Sequence, residues 1–219
     1  MPGCGSGGWR GRSRCRGQAS AARRWKNPES GTTRALRIGV IPTVSPYLLP
    51  LLRPALRKAH PSLTLRWVED RTEALIGLLD AGDLDAALLA LEADLGDVER
   101  EVIGDDPFVL VTPKRHPLGR ATAPADRSEL REHDVLLLDE THCFGDQALA
   151  VCARAKAHDL EFRATSLSTL AQMVADGAGI TLLPRMAVPT ETKRASLSVR
   201  PFVAPAPKRT IALVWRKRS

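Results

Sequence analysis

At 219 residues, 43% of them hydrophobic and 26% charged, the chain is long enough to bury one large core or two small ones. No stretch reaches the roughly 18 apolar residues of a membrane span or forms the apolar centre of a secretory signal, and four cysteines do not make a disulfide framework, so a reducing cytoplasm is the expected compartment. The formal charge of +7 belongs to residues 1–35, where seven arginines and one lysine face only Glu29; residues 36–219 balance 24 basic against 24 acidic side chains and carry no basic footprint for nucleic acid.

Residues 1–35 are rich in Gly, Ser and Arg, lack an apolar period and read as a disordered basic tail. A functional polycation, an organelle transit peptide and the product of a wrong start or shifted frame compete to explain it. A transit peptide would have an amphipathic apolar face that this tail lacks, and the third is preferred because the body that follows points to something else belonging ahead of it.

Beyond the tail, Leu36 to Ile41 alternates as a short strand ending at Pro42-Thr43. Ser45 is expected to cap a helix with Pro46 in its first turn, and Leu48, Leu49, Leu52, Leu56 and Ala59 follow at helical spacing. Pro54 inside that helix removes a hydrogen bond and predicts a bend. Leu63 to Glu69 alternates again, Arg71 to Ala81 forms a helix closed by Gly82, and Leu84 to Leu91 is the near-continuous apolar run of a buried parallel strand. Asp80, Asp83 and Asp85 flank the intervening turn and read as solvated.

A second unit starts after Val109-Leu110-Val111, with strands at Val135–Leu138 and Glu161–Thr165, a helix from Ser166 to Asp176 capped by Ser166 and Gly177, and a strand at Gly179–Leu183. Strand and helix alternate as in doubly wound α/β units. The apolar strand Thr210–Trp215 fits best as a return to the first unit, giving two lobes with crossovers near Thr112-Pro113 and Ala206-Pro207. Lobe I then spans about 36–111 and 208–216, and lobe II about 112–207.

Between the strands of lobe II lie Cys143 and Cys152, nine positions apart, the first preceded by His142 and followed three residues later by Asp146. Asp146 to Ala153 reads as helix, so Cys143 sits at a loop-to-helix junction where a neighbouring imidazolium or helix amides favour thiolate. Nine helical residues span about 13.5 Å, whereas bridged Cα atoms approach within about 7 Å. The two cysteines therefore join only if the intervening helix opens, which suits a switch better than a staple. Two unrelated small apolar residues are the competing reading. His60, His116, His133 and His158 show no ligand spacing and read as surface residues. Cys4, Cys15 and His142 lack the paired spacing of zinc modules, so no metal or other cofactor is expected.

The segments Ile38-Gly39-Val40-Ile41-Pro42-Thr43, Pro46-Tyr47-Leu48-Leu49-Pro50, Leu79 to Ala86 and Gly177 to Pro184 resemble the effector-binding domain of LysR-type transcription regulators. Phe162 to Leu167, Arg209-Thr210-Ile211 and above all the His-Cys pair with its aspartate and second cysteine are similar to the hydrogen-peroxide-sensing OxyR branch. The similarity runs from about residue 36 to 216. It implies the two-lobed, periplasmic-binding-protein-like (type 2) α/β fold with two crossovers, and a regulatory role rather than an enzymatic one.

Position by position, the resemblance makes Cys143 the thiol that attacks peroxide and Cys152 the one that resolves it as a disulfide. It makes Thr43, Thr72, His142 and Asp146 the polar lining of the peroxide site. A departing peroxide oxygen needs such donors, and the resulting sulfenic acid condenses with the second thiol. Helix capping is the alternative role for Thr43 and Thr72, and complementing a helix N-terminus the alternative for Asp146. Implied partners are hydrogen peroxide, a thiol reductant such as glutaredoxin or thioredoxin, and a second copy or an intact regulator for co-assembly. No specific DNA binding by this chain and no membrane are expected, because the helix-turn-helix and linker helix usual ahead of the first strand are not in the sequence. Thr141 replaces a glycine and Gly145 an arginine usual in the branch, and Ser219 ends the sequence short of the final helix of the family. Two other functions compete with this reading: a lobed domain holding a small metabolite with incidental cysteines, and a thiol peroxidase.

Overall fold

In a computed structural model, the structure describes residues 35–139 and 143–217. The tail, Thr141 and His142 lie outside the described residues, and of Cys143 only the backbone is described. Among the described residues, nine strands and six α-helices follow in order: β1 (Leu36–Val40), α1 (Ser45–Ala59), β2 (Leu65–Glu69), α2 (Thr72–Asp80), β3 (Ala86–Ala90), β4 (Val98–Pro113), α3 (Pro117–Arg120), β5 (Asp134–Leu138), α4 (Cys143–Ala155), β6 (His158–Ala164), α5 (Leu167–Ala175), β7 (Thr181–Pro184), α6 (Val188–Arg194), β8 (Leu197–Pro201) and β9 (Lys208–Arg216).

The first sheet has the order β2-β1-β3-β9-β4, with β1 parallel to β2 and β3, and β9 antiparallel to both β3 and β4. β3 is buried along its whole length, as its unbroken apolar run anticipates. α2 covers the sheet with Leu75 and Leu79, both fully buried. The predicted return of the last strand to the first unit is what the pairing of β9 with β3 shows.

β4 joins the two halves. Its first part, Val98 to Pro107, pairs with β9, and from Phe108 onward it pairs with β7 on one side and β8 on the other. The amide of Phe108 donates to the carbonyl of Pro207 at 2.8 Å, which ties the two connecting segments together where β9 begins. β5 and β6 pair in parallel, and β5 meets the residue before β7 through a bridge from Val135 to Ile180. Two clusters of buried side chains follow this division, one around Leu75, Leu79 and Leu89, the other around Phe108, Leu136 and Leu170.

Several local expectations change. Ser45 is the first helical residue rather than the cap, and Val44 precedes it with no side-chain cap bond. The charged stretch Val98 to Pro107, to which the sequence assigned no element, is strand paired with β9, and its residues up to Asp105 stay largely exposed. Asp85 is not solvated: it accepts from the Arg37 amide at 2.8 Å, with the Arg37 Nε 3.5 Å away. Ser166 does cap α5, its hydroxyl accepting from the Thr169 amide at 3.1 Å, and Gly177 beyond the end takes a φ of +94° that other residues rarely adopt.

His116 and His133 are half-buried and stack edge to face with ring centroids 5.2 Å apart. His116 Nδ1 accepts from the Leu118 amide at 3.3 Å and so caps α3 only while that nitrogen is unprotonated. Partial burial, and then the neighbouring His133, hold the His116 pKa below its ordinary value of 6.5. A depressed folded-state pKa means the contribution is fully present above 6.5 and is lost as pH falls through the folded value. His116→Asn retains an acceptor without titrating, so its thermal midpoint is expected to fall less than that of the parent between pH 7 and pH 5. Parallel thermal melts across that range check this, and identical slopes would remove the role of His116.

Candidate functional site

Thr43 and Thr72 follow the carboxyl ends of the adjacent parallel strands β1 and β2. That end is where open α/β sheets bind ligands. Both threonines are buried. Thr72 opens α2 without capping it, and its Oγ1 makes no hydrogen bond within the described residues. Thr43 Oγ1 instead accepts from Arg209 Nη1 at 2.7 Å, while Nη2 donates to the Thr43 carbonyl at 3.0 Å.

Arg209 is the central group of the region. It is fully buried at the start of β9. Its Nε donates to Asp106 Oδ2 at 3.0 Å, and the other oxygen of Asp106 accepts from the Met186 amide at 3.0 Å. The guanidinium also lies 5.5 Å from the ring centre of Phe144, in the first turn of α4. Phe144 in turn meets Phe108 edge to face at 5.1 Å. One cation therefore connects the tip of β1, both connecting strands and the residue after Cys143. The sequence placed Arg209 in a diagnostic segment without a role; a pair of basic residues, Lys208 and Arg209, opening an apolar strand after two prolines was the available signal.

α4 runs unbroken from Cys143 to Ala155, so both cysteines lie on one helix. Cys152 is buried at 1% exposure. The expected helix began at Asp146, one turn late; Asp146 sits in the first turn and is exposed. Gly145 explains its own presence. A Cβ there would come within 2.8 Å of the carbonyl oxygens of both Leu138 and Asp139, so α4 rests directly on the end of β5. Gly145→Ala gains about 0.5–1 kcal/mol of helix preference but overpacks against rigid backbone at a cost of roughly 1–3 kcal/mol. The expected net result is a lower denaturant midpoint, and an unchanged or higher midpoint would refute the close approach.

A second polar group links the two halves. Tyr47 of α1 donates to Glu191 Oε1 of α6 at 2.9 Å, and Ser168 of α5 donates to the same oxygen at 2.9 Å. Burial, and then the bond to Glu191, push the Tyr47 phenol well above its usual pKa. Among the described residues, no group of three or more His, Cys, Asp or Glu gathers as a metal site. No described helix is long and apolar enough to cross a membrane.

The LysR substrate binding domain model matches residues 29–219. The chain belongs to this family. Among curated relatives, a "Probable hydrogen peroxide-inducible genes activator" of Mycobacterium avium is 46% identical over 187 residues, which are 84% of this chain and 60% of the relative. The chain thus spans about 60% of the length of such relatives. A Corynebacterium glutamicum OxyR cysteine mutant with hydrogen peroxide bound matches with a TM-score of 0.79 at 35% identity, covering 85% of this chain and 60% of that one. The oxidised form of an OxyR matches with a TM-score of 0.75 at 42% identity, covering 84% of this chain and 87% of that one. The two-lobed, binding-protein-like α/β fold expected from the sequence is the fold of this LysR domain.

Proposed function

We propose that this chain is the peroxide-sensing regulatory domain of a LysR-type transcription regulator and stores its signal as a Cys143–Cys152 disulfide. The observation that carries the reading is the buried Arg209, which joins Thr43 to the helical turn that starts at Cys143. The amides of a helix start favour thiolate over thiol. The names and the bound peroxide of the relatives support the same chemistry.

In the proposed reaction, the Cys143 thiolate attacks one oxygen of hydrogen peroxide, the O–O bond breaks, and the leaving hydroxide takes a proton to become water. The sulfur is oxidised to sulfenic acid. Attack by Cys152 forms the S–S bond and releases a second water, so two thiols and one peroxide yield one disulfide and two waters. Thr43 and Thr72 donate hydroxyl hydrogen bonds to the bound peroxide, and the unpartnered Oγ1 of Thr72 supports that role. His142 donates toward the leaving oxygen, and Asp146 orients a donor at the rim. A thiol reductant of the glutaredoxin or thioredoxin class resets the disulfide, and the domain pairs with a second copy or an intact regulator in a reducing cytoplasm.

Peptide mass spectrometry after one equivalent of peroxide tests the reading. The expected product is the 143–152 crosslink. Oxidation of Cys4 or Cys15 with Cys143 intact would overturn it.

A further inference from the structure

We infer that Phe144 is the positioning residue that carries the state of α4 to the junction between the lobes, acting through Arg209. The inference rests on the proposed disulfide for its trigger, but the contact itself stands in the structure without that bond.

Phe144 is fully buried, two positions into the helix, with its ring between Phe108 of β4 and the Arg209 guanidinium. A guanidinium over an aromatic face is attracted to the ring's negative quadrupole, and the attraction grows where water is excluded. The same guanidinium holds the Thr43 carbonyl and hydroxyl in one lobe and Asp106 at the connection. Asp106 in turn fixes the Met186 amide, beside α6. Phe144 thus supplies one face of a buried cation whose remaining contacts lie in segments distant in sequence.

A bond from Cys143 to Cys152 cannot form while nine residues of helix hold the two about 13.5 Å apart along the axis. The helix must open between them, and opening at its start withdraws Phe144, which lies in the first turn. Its ring then leaves Phe108 and Arg209, and the guanidinium loses a packed face in a site with no other aromatic contact recorded among the described residues. Packed interiors respond to such a loss by moving to another arrangement rather than by stretching. The Asp106–Met186 bond and the hold on Thr43 are the contacts positioned to change.

Hydrogen exchange at the amides of Met186 and Val44 tests this in the whole chain and in Phe144→Leu, each reduced and peroxide-treated, with the crosslink counted in the same samples. The parent protein should exchange at least tenfold faster at Met186 once crosslinked. Reduced Phe144→Leu should already show that faster exchange, and crosslinking should add little. A merely local packing role would move only the amides of α4. Unchanged Met186 exchange in crosslinked parent protein overturns the inference even if the variant does not fold. Unchanged exchange in reduced, folded Phe144→Leu overturns it as well. Absence of the crosslink in the parent would instead remove the proposed sensing chemistry, while the reduced arm still decides the Phe144 link.

Discussion

Arg209→Ala is expected to lower stability by about 3–5 kcal/mol, the range for breaking a buried ion pair from one side. The cause is less the lost attraction than what remains. Asp106 is 4% exposed and would keep a charge facing no cation, with only the Met186 amide to serve it. Thr43 would lose both its hydroxyl and carbonyl donors. Against a total of about 5–15 kcal/mol for a natural domain, such a loss is large enough to threaten folding. Arg209→Lys should fall between the two, because a single ammonium cannot span Asp106 and Thr43 as the forked guanidinium does. Adding Asp106→Asn to Arg209→Ala should recover part of the loss by removing the stranded charge. Urea denaturation of the three variants checks the order, and a cost below about 1 kcal/mol for Arg209→Ala would mean the pair is not the buried staple described here.

The sequence made the fold legible where one periodicity dominated. The apolar run at β3 and the capped helix α5 follow from short-range patterns, and the return of β9 to distant β3 follows from its place late in the chain, past any neighbour it could extend. β4 was legible only in its apolar centre at Val109 to Val111. Its first half is the exposed edge of a sheet, where neither face is buried and nothing local announces strand. The cysteine pair was visible because spacing is a local property. The Arg209 node was not, because Thr43 and Arg209 are 166 residues apart and Asp106 and Arg209 are 103 apart, and no pattern along the chain encodes such a meeting. Asp85 was misread for the same reason: its partner Arg37 lies 48 residues away on a neighbouring strand.

The proposed disulfide between Cys143 and Cys152 is expected to be readily reduced. Forming it opens the start of α4, withdraws the buried Phe144 and disturbs the packing around Cys152. Burial of a Phe side chain alone is worth roughly 1.5–3 kcal/mol, so the loss across the turn is about 3–5 kcal/mol once the vacated space is included. For a two-electron couple about 1.4 kcal/mol corresponds to 30 mV, which makes this loss roughly 60–110 mV. Structural disulfides lie below about −300 mV, so the couple is expected near −240 to −190 mV, within reach of glutathione-linked reductants. Cys152→Ser removes the second thiol and should leave a sulfenic acid trappable by dimedone, whereas Cys143→Ser should give neither species. Equilibration in glutathione buffers of graded ratio, read by the yield of the 143–152 crosslink, measures the potential. A value below −300 mV would mean that the helix gives up nothing when the bond forms, and that the pair is a staple rather than a switch.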